Sequence, residues 1–200
     1  LNMKAVGRLA AKRLGTTYNR CNLIIVHLGS GISVSAHRKG KIVDTTNAND
    51  EGPFSPQRSA TLPTTGLIKL CFSGKYTMRE MLKLVTKKAG LLAYTGTDNL
   101  KEVIQRMEEG DEKCALAFRA LAYQISKYIG EMAVVLKGKI DAIVITGGMA
   151  YEKPLVKEIR SYIRFLPGRI MVFPGENELE SLVSGALRVL VGEEKPKEYR

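Results

Sequence analysis

The sequence lacks tryptophan, has few cysteines and contains no long apolar segment, and each of these absences excludes a class of protein. The three cysteines, Cys21, Cys71 and Cys114, are odd in number, far apart and without CxxC spacing. This pattern indicates reduced thiols and argues against a structural zinc site. No apolar run approaches the roughly 20 residues that span a bilayer, and basic residues interrupt the N-terminal stretch where a signal peptide would lie. We therefore predict a cytoplasmic protein that does not enter a membrane.

The charge is strongly positive, with a formal net value of +11. Such a charge raises nucleic-acid binding as an alternative. Against it, the basic residues are dispersed among acids and no recognised nucleic-acid module is present. A positive surface also steers small anions toward a cleft. We expect small anionic ligands and no nucleic-acid partner.

The length and the apolar content set the scale of the fold. Two hundred residues that are 44% hydrophobic can bury the core of one large domain. The chain opens with Leu-Asn and its first helix, near residues 3–14, begins at once. We therefore expect that this chain is a fragment of a longer protein.

Residues 22–46 read as three short strands. A buried strand over 23–26 ends at Gly29-Ser30-Gly31, and a third strand is predicted over 41–46. In the middle strand apolar residues alternate with Ser33, Ser35 and His37, which predicts one face toward solvent. The pattern is that of an antiparallel β-meander.

The first turn of this meander has the composition of a phosphate-binding turn. Gly29 and Gly31 permit unusual backbone angles and close approach of a ligand, and successive amides form a nest for anions. His27 and the Ser30 hydroxyl are candidate additional donors. The alternative is that Gly-Ser-Gly only turns a hairpin, and spacing alone does not separate the two interpretations.

Residues 47–63 form a long loop with three prolines and with Arg58 near its middle. Loops of this length in compact domains are often functional. Taken alone, Arg58 is better interpreted as part of a surface salt bridge, since exposed ion pairs are common.

The remainder of the chain reads as helices followed by a strand–helix–strand unit. A capping box at Thr77–Glu80 predicts a helix over 78–88 that Gly90 ends. Asp111 is expected to cap a second helix over 112–137. The apolar stripe of this second helix is expected to face either the core or a subunit interface. A strand over 140–146 leads into Gly147-Gly148-Met149, and ligands of such units lie at the carboxyl end of the strand. A return strand over 170–173 and a last helix over 178–191 follow, with these apolar residues predicted inward: Leu179, Leu182, Val183, Ala186 and Leu190.

These motifs together resemble a known family. His-Leu-Gly-Ser-Gly, followed by a β-branched strand, is similar to the second phosphate-binding segment of the acetate and butyrate kinases. Residues 49–58 resemble the butyrate kinase form of the next motif more closely than the acetate kinase form, and the similarity runs through nearly the whole chain.

The resemblance implies a fold, a reaction and cofactors. The fold would be α/β, with a mixed sheet that joins an antiparallel meander to a βαβ unit flanked by helices, as in one lobe of the ribonuclease H-like or actin-like ATPases. The reaction would be reversible phosphoryl transfer between ATP and butyrate or a branched short-chain acid, giving ADP and an acyl phosphate, with Mg²⁺. The alternatives are acetate kinase-type specificity and a non-catalytic nucleotide-binding module.

The resemblance also implies roles for individual residues. Arg58 would stabilise the phosphoryl group in flight. Asn99 lies near the adenosine contact, although Asp98 could equally be a helix N-cap. Glu178 falls near the metal-associated glutamate, but the register is open among Glu176, Asn177 and Glu178, and the favourable placement of an acid at a helix N-terminus explains Glu178 slightly better. The phosphates and the adenosine would be bound by the two glycine segments: His27, Gly29, Ser30, Gly31, Gly147, Gly148 and Met149.

Three departures from the family pattern set further expectations. The family's catalytic histidine is absent before the first helix, and no first-lobe phosphate segment is present. Residues 1–200 would therefore be the C-terminal lobe of a two-lobe acyl kinase whose N-terminal lobe is missing from this chain. Residues at about 64–110 would form a helical insertion in this lobe. The acids that follow the arginine in acetate kinases are replaced by Ser59-Ala60 and Leu62-Pro63, which favours an apolar acid pocket. We expect a homo-oligomer that binds a small carboxylate and a nucleotide.

Overall fold

A five-stranded mixed sheet organises the molecule. The computed structural model describes residues 2–175, 178–193 and 195–196, with the backbone alone at 178–180. The strands are β1 (Asn22–Leu28), β2 (Ile32–Arg38), β3 (Lys41–Thr45), β4 (Ala142–Gly147) and β5 (Arg169–Pro174). Their order in the sheet is β3-β2-β1-β4-β5. The first three strands pair antiparallel, and β1, β4 and β5 pair parallel, which confirms the predicted meander joined to a βαβ unit.

Helices cover both faces of this sheet. The helices are α1 (Asn2–Arg13), α2 (Thr64–Cys71), α3 (Met78–Lys87), α4 (Gly90–Thr95), α5 (Leu100–Glu108), α6 (Glu112–Val135), α7 (Lys153–Ile163) and α8 (Glu178–Leu190). One face of the sheet packs against α6 and α7, and the other packs against α1 and the Tyr18 side chain. Apolar residues of β1 alternate between these two cores, so that β1 is buried on both sides.

The helix caps that the sequence predicted are present. Thr77 and Glu80 form the capping box of α3, and the Asp111 carboxylate accepts hydrogen bonds from the backbone N–H groups of Lys113 and Cys114 at the start of α6. The Cys114 bond and the Arg106 guanidinium hold the pKa of Asp111 at about 2. One prediction at these helix ends is wrong: Gly90 does not end α3 but begins α4.

The prediction that one side of β2 faces solvent is wrong. Ser35 and His37 are fully buried, because α1 and Tyr18 lie across that face of the sheet. The His37 Nδ1 is 2.6 Å from the Tyr18 hydroxyl, and its Nε2 is 2.7 Å from the Ser35 hydroxyl. The alternation in β2 therefore identified its polar face correctly, but the buried polar side chains on this face hydrogen-bond to one another and not to water.

Burial shifts the ionisation of both rings. It lowers the pKa of His37 to about 4, with the Lys4 charge adding to the effect. It also raises the pKa of Tyr18 to about 12 against the opposing charge of Arg8. Both groups are consequently neutral over the ordinary pH range.

The last helix has the opposite orientation to the one predicted. Ser181 is buried and Gly185 is half-buried, whereas Leu182, Val183 and Leu190 are exposed. The Leu179 side chain lies outside the described residues. No helix in the described part of the chain is both long and apolar enough to cross a membrane.

Candidate functional site

The two predicted glycine segments meet at one edge of the sheet. Strands β1 and β4 are parallel neighbours, and His27 pairs with Thr146 in their shared register. Their carboxyl ends therefore lie side by side, which is where open α/β sheets bind ligands. Gly29-Ser30-Gly31 leaves this edge from β1, and Gly147-Gly148-Met149 leaves it from β4.

The Gly-Ser-Gly turn is held by its own backbone. Leu28 pairs with Ile32, and the Gly29 N–H donates to the Gly31 carbonyl at 3.1 Å. Neither glycine has a positive φ, so the expectation that they supply unusual backbone angles is wrong. Their role is spatial: a Cβ on Gly29 would lie 3.1 Å from the His27 Nε2. Because the Gly29 amide closes the turn, it is not available to bind an anion.

The Arg58 guanidinium lies directly against this turn. A Cβ on Gly31 would be 2.6 Å from its Nη1 and 3.2 Å from the Ala48 Cβ. Arg58 is half-buried, and no carboxylate among the described residues pairs with it. The surface salt bridge that the sequence left open is therefore absent from this part of the protein. The structure therefore places the Arg58 guanidinium next to the glycine turn, although Gly31 and Arg58 are 27 positions apart in the sequence.

Ser55 connects the Arg58 loop to the turn, and sequence reasoning did not single it out. Its hydroxyl donates to the Ser30 carbonyl at 2.7 Å and accepts from the Arg58 N–H at 3.2 Å. Ser55 is 1% exposed. The only sequence signal was its place between two prolines, Pro53 and Pro56.

The start of α4 holds the same loop from the other side. The N–H groups of Ala89, Leu91 and Leu92 donate to the carbonyls of residues 57, 55 and 56. A Cβ on Gly90 would lie 1.8 Å from the Ser55 carbonyl oxygen, so only glycine allows this contact. The segment that carries Arg58 is therefore fixed, although it contains neither helix nor strand.

The Gly147-Gly148 turn contacts the end of β1. Gly147 has a φ of 97°, and a Cβ there would lie 2.4 Å from the Leu28 carbonyl oxygen. Gly148 is exposed, with no atom within 4 Å of its Cβ position, and Met149 packs against the core. Gly147 therefore allows the backbones of β4 and β1 to approach closely, whereas the space beside Gly148 is open.

Asn99 caps α5. Its side chain accepts a hydrogen bond from the Lys101 N–H at 3.1 Å. Asp98 is not the cap, because its carboxylate accepts a hydrogen bond from the Gln57 amide next to Arg58. The alternative that made Asp98 the N-cap is therefore wrong, and Asp98 instead links α5 to the Arg58 loop.

The metal prediction concerns Glu178, whose side chain lies outside the described residues, as do Glu176 and Asn177 entirely. Among the described residues, no group of three or more histidine, cysteine, aspartate or glutamate side chains is arranged to hold a metal. Magnesium bound to nucleotides uses mainly phosphate and water oxygens with one or two carboxylates, and a single glutamate fits that donor set.

The comparison with family models defines the class of protein. The acetokinase family model matches residues 2–164, so this chain belongs to the acetokinase family. Over all 200 residues it is 48% identical to a protein of Clostridium botulinum (strain Alaska E43 / Type E3) named "Probable butyrate kinase". The chain spans about half the length of that relative, 56% of it.

Solved structures show the same fold. The crystal structure of Porphyromonas gingivalis acetate kinase superposes with a TM-score of 0.86 at 24% identity, covering 94% of this chain and 54% of that one. A propionate kinase from Francisella tularensis superposes with a TM-score of 0.80 at 25% identity, covering 89% and 52%. The predicted fold, an α/β lobe of the actin-like ATPase kind, is confirmed.

Proposed function

We propose that this chain is the C-terminal lobe of a two-lobe acyl kinase that transfers the γ-phosphoryl group of ATP reversibly to a short-chain carboxylate. The observation that carries this proposal is the contact between the Arg58 guanidinium and the Gly29–Gly31 turn. Phosphoryl transfer depends mainly on placement and charge stabilisation, and a planar guanidinium suits a planar phosphoryl group. The first lobe would supply the opposite wall of the cleft, and residues 64–110 would be a helical insertion.

Each part of the site has a role in this reaction. The amides of Ser30 and Gly31, with the His27 ring nearby, would bind the β- and γ-phosphates. Gly147, Gly148 and Met149 would seat the adenosine, with Asn99 at its far side. Magnesium would neutralise phosphate charge when bound, with Glu178 as its candidate protein ligand.

Butyrate or a branched analogue is the proposed acceptor. Beyond Arg58 the chain borders a cavity of about 530 Å³, and it is lined mainly by apolar side chains that include Ala60, Leu62 and Met81. An apolar wall favours an alkyl chain longer than that of acetate, since each buried methylene contributes about 0.8 kcal/mol. We expect the whole protein to have a higher kcat/KM for butyrate than for acetate, and the reverse order would support acetate kinase-type specificity.

Arg58→Ala in the whole protein tests the proposal. We expect turnover in an acyl-hydroxamate assay to fall about a thousandfold or more, as for other arginines that stabilise this transition state. Arg119→Ala is the matched control, because Arg119 is exposed on the outer side of α6. A loss below about tenfold would remove Arg58 from the mechanism. Nucleotide binding without acyl phosphate synthesis by the unmodified protein would instead favour a non-catalytic nucleotide-binding module.

Three further expectations stay predictions. The whole protein is expected to form a homo-oligomer and to reside in the cytoplasm. The isolated chain is expected to be inactive, because the proposed cleft needs both lobes.

A further inference from the structure

A second cavity lies between α7 and β5, the last strand of the sheet. Its volume is about 450 Å³, within the range of cavities that bind small molecules. None of the residues proposed above to bind phosphate, adenosine or the acyl group lines it. The lining residues are Ala150, Tyr151, Lys153, Val156, Lys157, Arg160, Val172 and Pro174.

The floor of this cavity is apolar. Val156 is buried in the core, and the half-buried Val172 packs against the same core. Tyr151 forms a wall, and its hydroxyl oxygen would lie 3.0 Å from a Cβ on Gly175, so the phenol is placed against the turn that follows β5. Aliphatic and aromatic surfaces of this kind suit an apolar group of a ligand.

The rim of the cavity is cationic. Lys153, Lys157 and Arg160 follow one another along α7 at spacings of four and three residues, so they share one side of the helix. All three are exposed. Among the described residues, no carboxylate forms an ion pair with any of them.

This placement of charge is unfavourable for α7 itself. Lys153 lies in the first turn, where the helix dipole favours negative charge, and that turn contains no acid. The like charges of Lys153 and Lys157 also repel each other at a spacing of four residues. The N-cap residue, Glu152, makes no capping hydrogen bond with its side chain. A bound anion would offset the unfavourable charge in this turn.

We propose that this cavity binds a small organic phosphate, with the phosphate group at the three cations and an apolar group on the floor. Arginine and lysine are the side chains that recognise phosphate best. A carboxylate would supply one negative charge for three cations, whereas a phosphate monoester supplies about 1.5 to 2 at pH 7. The proposal does not rest on the proposed phosphoryl transfer, because the two sites share no residue.

Pyridoxal 5′-phosphate is a suitable probe for this site in the whole protein. Its aldehyde condenses with a lysine amine, releasing water, and borohydride reduces the imine to a stable amine that peptide mass spectrometry can locate. We expect Lys157 to be labelled at least about tenfold faster than Lys83, because a cationic cleft concentrates anions. Lys83 is the matched control: it lies between Arg79 and Lys87 in an exposed row of cations on α3 that lines neither cavity beside that helix.

Pyridoxal, which lacks the phosphate, separates phosphate binding from the intrinsic reactivity of the two lysines. It should label Lys157 and Lys83 at similar rates. Equal labelling of the two lysines by pyridoxal 5′-phosphate would overturn the proposal. The same preference for Lys157 with pyridoxal would also overturn it.

Competition and a variant test the two halves of the site. Phenyl phosphate should suppress the labelling of Lys157 at a concentration about tenfold or more below that of inorganic phosphate, because its ring adds apolar contact. Arg160→Gln removes an exposed charge and should slow the labelling of Lys157 about tenfold, with Lys83 unchanged. Equal suppression by the two phosphates, or unchanged labelling of the variant, would contradict the proposal. Suppression by ATP at the concentration that half-saturates its binding would do so too, because the cavity would then be part of the nucleotide site.

Discussion

At the scale of single residues, several positions of the candidate site are glycine because there is no room for a Cβ atom. Gly31 is a glycine because the Arg58 guanidinium occupies the position of a Cβ, and Gly90 is a glycine because the Ser55 carbonyl does the same. Both contacts join segments that are distant in the sequence. The residue pattern within one segment can therefore predict a turn, but it cannot predict which distant residues pack against that turn.

Gly31→Ala should separate activity from stability. The added methyl group would meet the end of a flexible side chain, so we expect the free energy of unfolding to change by less than about 1 kcal/mol. The displaced guanidinium should lower turnover about a hundredfold, since misplacement of a catalytic group by about 1 Å has that effect. Kinetics and urea unfolding of the whole protein measure both quantities. Gly130→Ala on α6 is the control, with nothing within 4 Å of its Cβ position, and equal turnover of the two variants would refute the spatial argument.

Ser55→Ala tests the connection between the loop and the turn. Loss of the hydroxyl leaves the Ser30 carbonyl without this donor, and we expect a decrease of about 1–3 kcal/mol in the free energy of unfolding. Turnover should also fall, by about tenfold or more, because the Arg58 loop is no longer held to the turn. Ser59→Ala removes a similar bond, to the Val85 carbonyl, in the same loop. If Ser59→Ala lowers turnover as much as Ser55→Ala does, Ser55 has no special positioning role.

At the scale of elements, local signals predicted the helix starts and tertiary contacts decided the rest. The caps at Thr77 and Asp111 were predictable because a cap and its partner lie within one turn. The burial of Ser35 was not predictable, because α1 covers it from 32 residues away along the chain. The same holds for α8, whose apolar stripe was recognised but assigned to the wrong side.

Gly147→Ala and Gly148→Ala should differ sharply at the end of β4. Gly147 combines a positive φ with a backbone contact to Leu28, so we expect its replacement to lower the free energy of unfolding by about 2 kcal/mol or more. Gly148→Ala should change stability by at most about 0.5 kcal/mol, because its Cβ position is open. Its effect should fall on the KM for ATP instead. Thermal unfolding and ATP titration distinguish the two variants, and equal loss of stability would contradict this account.

At the scale of the whole molecule, the sequence predicted that two glycine turns follow strands of the sheet. The strand periods predicted the meander and the strand–helix–strand unit, and the family resemblance implied that they share one mixed sheet; the strand order β3-β2-β1-β4-β5 comes from the structure. The sequence did not predict the hydrogen-bonded group of Tyr18, His37 and Ser35 between α1 and the sheet. Ser35 and His37 both lie on β2, but Tyr18 comes from the segment between α1 and β1, and no motif in the sequence links it to them.

This buried group should make stability depend on pH. The pKa of His37 is about 4 in the folded protein, below its ordinary value of 6.5. The unfolded chain therefore binds the proton more readily, and stability is full above about pH 6.5 and falls as the pH decreases toward 4, by up to about 3 kcal/mol. Urea unfolding of the whole protein between pH 7 and pH 4 measures this loss. His37→Gln cannot titrate and should reduce the slope, and an unchanged slope would show that other groups cause it.

The contact of Gly147 with the Leu28 backbone has a mechanical consequence for nucleotide binding. The segment proposed to hold the phosphates and the segment proposed to seat the adenosine pack against each other where β1 meets β4, so we expect them to move together. We then expect any closure around a bound nucleotide to take place in the helices over 64–108 or in the rest of the protein. Atomic displacements between free and nucleotide-bound forms should accordingly be smallest where β1 meets β4.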